Sequence, residues 1–348
     1  MKKLFKENWY TLLYLLTAAA ALVIRPLTGE EIVSYPWDTL CFIFMFMITA
    51  EGIRKEKLAL PVFRVLNSVR STPFLIFLIL LSTFVFTLFI PGYAVVLIML
   101  PFVIRLLGES NKEQYTTKTA AMVVLLSEIT GLVTPCSFGN IPLFYNRETS
   151  FSVYASTLLI PFACVLVVFV LEAFILFRKT KGDEIYLHIE KEDYWDNERK
   201  GKRILYPAFL IVLLFGRRFN TIDLLIVVAL AYVILDREVY RTFNWGYFIT
   251  AVLIITSAYT LGRIIPEGTL SETLISILFT RAGGAVACGN TITAVRHSLP
   301  SVVLTFSLPF ICALRELEGK ERKAFVKEYV LLALPVVIVL CVLSIVLG

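Results

Sequence analysis

Long apolar stretches recur along almost the whole chain, and they constrain its fold more than any other feature. A transmembrane α-helix needs about 20 predominantly apolar residues. Of the 348 residues, 58% are hydrophobic and 17% are charged, whereas soluble domains carry about 25% charged residues. The sequence therefore predicts an all-α polytopic membrane protein with about 10 to 11 transmembrane helices. The apolar stretches lie near residues 8–24, 35–53, 73–90, 93–107, 118–134, 151–177, 204–215, 220–235, 244–262, 298–314 and 326–347.

Basic residues in the connecting segments predict the orientation, because cytoplasmic loops are enriched in Lys and Arg. Five basic residues lie in segment 54–71 and eight in segment 178–203. Placing the N-terminus in the cytoplasm puts both segments there, so we expect a multi-pass protein of the cell membrane. The basic segment 315–327 falls on the same side only if residues 270–295 do not cross completely, which favours a re-entrant or broken helix. These loops explain the net charge of +6, and nucleic acid is not an expected partner.

One long polar segment divides the chain into two halves. Residues 178–203 carry both acidic and basic side chains and are predicted to form a cytoplasmic linker. The linker separates an N-terminal membrane repeat, residues 1–177, from a C-terminal membrane repeat, residues 204–348.

Two segments, one in each half, resemble each other. One runs from Tyr35 to Arg54 and the other from Phe243 to Arg263. Each begins with an interfacial Trp, continues as an apolar run and ends with Gly close to Arg. Because the predicted topology runs the first segment inward and the second outward, the pair indicates two inverted-topology repeats. Two unrelated spans with interfacial tryptophans are the alternative.

Each half also contains a polar segment in an apolar context. These segments, 134–142 and 283–293, both contain the dipeptide Gly-Asn. Pro and Gly interrupt helices, and the freed backbone groups of interrupted helices bind ions and substrates in transporters. Close packing of helices through small residues is the alternative. We expect the substrate- and ion-binding groups to come from Thr134, Ser137, Gly139, Asn140, Gly289, Asn290, Thr291 and Thr293.

Ionisable residues inside predicted spans are further candidates, since they are costly there and usually functional. Glu128 precedes Thr134 by six residues and could take up a proton or face a coupling cation; a pair with a basic residue of a neighbouring helix is the alternative. Arg281 and Arg296 flank the second polar segment and could attract an anionic substrate; a position of Arg296 at the membrane interface is the alternative. The six cysteines are dispersed and predict neither a disulfide nor a metal site.

The chain resembles the ion transporter superfamily that includes arsenite permeases, sodium/proton antiporters of the NhaD type, and citrate or dicarboxylate transporters. The resemblance rests on Pro36-Trp37-Asp38 before a span that ends at Glu51-Gly52, on the stretch from Thr134 to Pro142, and on Gly289-Asn290-Thr291. It implies two inverted repeats, each with scaffold helices and a re-entrant hairpin rich in Asn, Thr and Ser at its tip. By this resemblance the two Gly-Asn segments bind the substrate and the coupling ion.

The predicted function is secondary active transport of a small anion, either a carboxylate or an oxyanion. Alternating access would be driven by a proton or sodium gradient, and no other cofactor is expected. The expected partners are the small anion and the lipid bilayer, and a homodimer is compatible with the sequence. A non-transporting structural or channel protein is the alternative. A polytopic membrane enzyme is less favoured, because the chain has only two His and no HExxH, GxSxG or paired-Asp motif, so we expect no enzymatic activity.

Overall fold

The fold is helical throughout the part of the chain that the structure, a computed structural model, describes. Of the described residues 86% are helical and none lies in a β-strand, although an isolated bridge joins Ser71 to Glu184. The prediction of an all-α protein is therefore confirmed. The described residues are 9–33, 35–56, 69–130, 151–185, 200–215, 219–262, 264, 307–317 and 319–347.

The helices follow the apolar stretches of the sequence closely. The apolar stretches 73–90 and 93–107 form two separate helices, because one helix ends at Phe89 and the next begins at Gly92, after Pro91. The helices are α1 (Trp9–Ile24), α2 (Gly29–Val33), α3 (Trp37–Lys55), α4 (Thr72–Phe89), α5 (Gly92–Glu109), α6 (Thr116–Thr130), α7 (Phe151–Lys179), α8 (Lys200–Leu214), α9 (Thr221–Leu235), α10 (Val239–Thr242), α11 (Trp245–Gly262), α12 (Leu308–Glu316) and α13 (Gly319–Leu347).

Several helices have the length and composition of membrane spans. Five segments of the described chain are long and apolar enough to cross a bilayer: Gly29–Lys55, Thr72–Phe89, Gly92–Glu109, Leu158–Lys179 and Gly319–Leu343. Shorter apolar helices are Trp9–Ile24, Ile204–Leu214, Thr221–Leu235 and Trp245–Leu261. Large apolar side chains are exposed along α7, α9 and α13, where lipid rather than water is the compatible solvent. The chain is an α-helical membrane protein.

Helix α6 lies at the centre of the packing. It contacts α4, α5, α7, α12 and α13, and all its residues from Thr119 to Thr130 are buried. A helix that is buried on every side has no solvent- or lipid-facing stripe. Polar side chains on α6 are therefore enclosed by protein.

Helix α3 organises a second group of helices and runs antiparallel to α11. The Tyr35 hydroxyl, just before α3, lies 2.8 Å from Thr256 Oγ1, whereas Phe44, further along α3, contacts Phe248 near the start of α11 with ring centroids 5.3 Å apart. Helices α1 and α11 run in the same direction, because Thr11 contacts Thr250 and the later Ser257 donates a hydrogen bond to the carbonyl of Tyr14.

Asp183, just after α7, forms hydrogen bonds with residues at the starts of α4 and α6. Its carbonyl accepts from the backbone N–H of Thr72 at 3.0 Å, and its carboxylate accepts from the Tyr115 hydroxyl at 2.7 Å. Lys112 Nζ lies 3.5 Å from the same carboxylate. The hydrogen bond to this carboxylate raises the pKa of Tyr115, since ionising the phenol would place two negative charges together.

Candidate functional site around Glu128

The candidate site is built on Glu128, close to the end of α6. Its side chain is buried, with 1% of the residue exposed. The Ser307 hydroxyl donates to Oε1, and the Tyr329 hydroxyl donates to Oε2 at 2.5 Å. Hydrogen bonds to a buried carboxylate offset part of its large desolvation cost. One side chain therefore connects α6 with the start of α12 and the middle of α13.

Ser307 and Tyr329 are themselves held in place by contacts within α12 and α13. Ser307 is the N-cap of α12, and its hydroxyl also accepts from the Phe310 backbone N–H at 3.2 Å. The Tyr329 ring packs against the rings of Phe310 and Phe325, at centroid distances of 4.7 and 6.0 Å. The two donors are thus positioned by an N-cap and by an aromatic cluster.

The carboxylate lies well inside the apolar part of the molecule. Glu128 is about 15 Å along α6 from Lys118, at the rise of about 1.5 Å per helical residue. By the same measure Ser307 is about 12 Å along α12 from Arg315. Apart from Glu128, Lys118 is the charged residue of α6, and Arg315 and Glu316 are those of α12. An ionisable residue enclosed among apolar helices is a functional candidate.

The other predicted site residues lie outside the described residues. These are Thr134, Ser137, Gly139 and Asn140 in the first polar segment, and Arg281, Gly289, Asn290, Thr291, Thr293 and Arg296 in or beside the second. Their described flanks are informative, however. Thr130 ends α6 four residues before the first segment, and Ser307 lies 14 residues after the second. Ser307 contacts Glu128, which itself precedes the first segment by six residues.

The start of α5 approaches the site from another side. A Cβ atom added to Gly92 would lie 2.9 Å from the carbonyl oxygen of Ser127, so α5 and α6 come into backbone contact next to Glu128. The adjacent Tyr93 is fully enclosed, and its hydroxyl has no hydrogen-bond partner among the described residues. A buried hydroxyl without a protein partner is normally satisfied by water or a ligand.

A second polar group, which we name the charged cluster, consists of Glu51, Arg54, Arg315 and Glu316. Arg54 bridges two carboxylates, with Nη2 2.8 Å from Glu51 and Nη1 2.9 Å from Glu316. The Tyr247 hydroxyl donates to Glu316 at 2.8 Å. The cluster therefore joins the end of α3 to the end of α12 and the start of α11.

Arg315 extends the charged cluster to α1. Its Nε donates to the Tyr10 hydroxyl at 2.8 Å, and its Nη2 lies within 3.3 Å of the hydroxyls of Thr11 and Thr250. The guanidinium also lies over the ring of Tyr247, 4.9 Å from its centroid. Such cation–π contacts add to the attachment of the arginine.

Sequence reasoning named Glu128 as a candidate but did not indicate its partners Ser307 and Tyr329. Ser307 and Tyr329 are 179 and 201 residues away along the chain, so no local pattern connects them with Glu128. The Ser-Leu-Pro sequence at Ser307 is a recognisable helix start. It indicates an N-cap but not the carboxylate that the N-cap contacts.

Metal binding receives no support within the described ranges. No group of three or more His, Cys, Asp or Glu side chains there is arranged to hold a metal ion.

The described residues form an α-helical protein with five segments long and apolar enough to cross a membrane. Comparison with models of known protein families gives no match, and comparison with curated protein sequences gives none either.

Proposed function

We propose that the chain is a secondary active transporter of a small anion, a carboxylate or an oxyanion, coupled to a proton or sodium gradient. The observation that carries the proposal is Glu128, an enclosed carboxylate that precedes the first predicted polar segment by six residues and contacts Ser307 of a distant helix start. Substrate and coupling ion would bind at the segments that contain Asn140 and Asn290. Alternating access would then expose this site to each side of the membrane in turn.

The chemistry of Glu128 suits either coupling ion. A buried carboxylate can take up a proton and lose its charge, as carboxylates of membrane proton relays do. The same carboxylate, with the hydroxyl oxygens of Ser307 and Tyr329, offers the oxygen ligands that hard cations prefer. In both cases a positive charge is added where an anion has to be carried across a medium of low dielectric constant.

The directions of the helices support the inverted-repeat part of the proposal. Helices α3 and α11 begin with Trp37 and Trp245, pack against each other and run antiparallel. The contact between Arg54 and Glu316 brings the end of α3 and the end of α12 together. With the basic segments 54–71 and 315–327 placed in the cytoplasm, about 10 to 11 spans and a cytoplasmic N-terminus are part of the proposal.

Uptake into proteoliposomes tests the function. Purified protein would be reconstituted, and a panel of labelled carboxylates and oxyanions would be offered under imposed proton or sodium gradients. We expect accumulation of one class above its equilibrium level, and we expect Asn140→Ala and Asn290→Ala to abolish it. Arg105→Ala, on the exposed end of α5, is the matched control and should keep uptake. Flux that only dissipates a substrate gradient would indicate a channel instead, and normal uptake in both Asn variants would refute the assigned site.

A further inference from the structure

The first turns of α13 carry three lysines on one side of the helix, a set that we name the lysine face. Lys320, Lys323 and Lys327 follow one another at intervals of three and four residues, the spacing at which side chains share a helix face. All three are exposed, and no ion pair between described residues involves any of them. Their charges are therefore open to a partner outside the protein.

The lysine face continues into the apolar exposed side of α13. Along the rest of the helix the exposed large apolar residues are Val330, Leu331, Leu334, Ile338 and Val342. The buried residues of the helix are Phe325, Tyr329, Leu332, Ala333, Val336 and Leu340. At about 100° per helical residue, all three lysines lie within about 40° of Leu334 around the helix axis. The side of α13 that faces away from the protein is thus cationic at its start and apolar further on.

The other charged residues at the start of α13 lie away from the lysine face. Glu321 and Glu328 each follow a lysine by one residue, which places them about 100° around the axis. Arg322 is directed towards the end of α12, because its Nε donates to the carbonyl of Leu317 at 3.1 Å. The lysine face therefore has three positive charges and no negative charge of α13 to balance them.

The lengths of the cationic and apolar parts match the layers of one bilayer. The apolar part of α13, from Val330 to its end at Leu347, is about 27 Å long, close to the roughly 30 Å of a hydrocarbon core. Lys320 precedes Lys327 by about 10 Å along the helix, and the headgroup region of one leaflet is about 5–8 Å deep. Because lysine stems extend their ammonium groups towards the polar layer, all three can reach it.

We propose that Lys320, Lys323 and Lys327 bind the headgroup of an anionic phospholipid whose acyl chains cover the apolar part of the same face. The phosphate oxygens of such a lipid accept charge-assisted hydrogen bonds from the ammonium groups. A lipid fits this face better than a free phosphate ion, because only a lipid also contacts Leu331 and Leu334. The inference goes beyond the proposed transport function and does not depend on it, since it requires only that α13 crosses the membrane.

Lipid binding to the purified protein tests the lysine face. The protein in detergent would be titrated with phosphatidylglycerol, which is anionic, or with phosphatidylcholine, which is zwitterionic, and bound lipid would be counted by native mass spectrometry. We expect phosphatidylglycerol to bind more tightly. Each replacement among Lys320→Gln, Lys323→Gln and Lys327→Gln should weaken its binding about fivefold, the factor that one basic residue near an anionic membrane contributes. Replacement of all three by Arg should keep the preference, because the charges remain.

A charge-matched variant separates a defined site from general attraction. Arg178→Gln, Arg237→Gln and Arg241→Gln together remove three other exposed basic residues and change the net charge by the same amount as the three lysine substitutions. This variant should bind phosphatidylglycerol as the parent does, and circular dichroism would establish that every variant is folded.

Three results would overturn the lipid site. The first is equal binding of the two lipids by the parent. The second is an equal loss of phosphatidylglycerol binding in the charge-matched variant and in the triple lysine variant. The third is displacement of phosphatidylglycerol by an equal concentration of inorganic phosphate, which would identify a phosphate ion as the ligand. Uptake measurements do not affect this outcome, so the lipid site and the transport function fail independently.

Discussion

The carboxyl group of Glu128, on α6, contacts side chains of two other helices. Its two oxygens accept from hydroxyls of different helices, Ser307 at the start of α12 and Tyr329 in α13. Protonation or cation binding would change what each oxygen can accept. A single event at this residue therefore alters the attachment of two helices to α6.

Substitution of Glu128 by Gln tests its part in ion coupling. Gln keeps the shape and accepts hydrogen bonds but cannot exchange a proton or neutralise a cation. We expect Glu128→Gln to lose uptake driven by the ion gradient while it retains exchange of labelled for unlabelled substrate, measured in proteoliposomes. The half-buried Glu172 on α7 provides the control, since Glu172→Gln should keep both activities. Gradient-driven uptake at the normal rate in Glu128→Gln would exclude the coupling role.

The hydrogen bond from Tyr329 should be measurable as stability. Tyr329→Phe keeps the ring but leaves one oxygen of the buried Glu128 carboxyl group without this hydrogen bond, and an unsatisfied buried polar group typically costs about 1–3 kcal/mol. We expect a lower melting temperature in detergent, measured by the loss of helical circular dichroism. Tyr259→Phe is the comparison: its hydroxyl donates to the uncharged carbonyl of Glu31 at 3.0 Å, so its loss should cost only about 0.5–1.5 kcal/mol. An equal loss of stability in Tyr329→Phe and Tyr259→Phe would contradict an additional contribution of the hydrogen bond to Glu128.

The individual helices could be predicted from the sequence, but their contacts could not. Apolar runs ended by Pro or Gly locate α4 and α5 within a residue or two, because the periodicity and the breaker residues act locally. The partners of Glu128 and of Arg54 come from distant parts of the chain, and their pairing depends on how whole helices pack. Local patterns carry no information about that packing.

The crossing of α3 and α8 depends on the absence of a side chain at Gly52. A Cβ atom there would lie 1.8 Å from Cε1 of the Tyr206 ring, and the Tyr206 hydroxyl is held by Asp236. Because the ring cannot easily move away, Gly52→Ala should destabilise the protein by about 1–3 kcal/mol. Thermal unfolding in detergent would measure the change.

Gly108 provides the matched control for Gly52. It also lies within a helix, but a Cβ atom there would meet nothing within 4 Å. Gly108→Ala should stabilise the protein by about 0.5–1 kcal/mol, because alanine loses less backbone entropy in a helix. Destabilisation by both substitutions would show that helix crossing is not the cause at Gly52.

At the scale of the whole molecule, half-exposed tryptophans lie at opposite ends of the membrane helices. Trp9 and Trp245 begin the parallel helices α1 and α11, whereas Trp37 begins α3, which runs the other way. Tryptophans of this kind concentrate at the two membrane–water interfaces. Trp9 and Trp245 should therefore lie at one interface and Trp37 at the other.

Fluorescence quenching measures this distribution. Variants that retain one of these three tryptophans, with the other tryptophans replaced by Phe, would be sealed into vesicles of known orientation. Iodide added on one side should quench Trp9 and Trp245 alike and spare Trp37, and iodide on the other side should do the reverse. Quenching of all three from the same side would contradict the antiparallel arrangement of α3 and α11.

Helix α7 has a consequence for the lipid around the protein. Its 29 residues make it about 43 Å long, whereas a typical hydrocarbon core is about 30 Å thick. The helix must tilt, protrude or thicken the surrounding bilayer, and each accommodation costs a fraction of a kcal/mol per Å of mismatch. Since α7 packs against α6 and α13, its tilt is linked mechanically to the helices that hold Glu128. We therefore expect the thickness of the surrounding bilayer to influence the packing of the helices around Glu128.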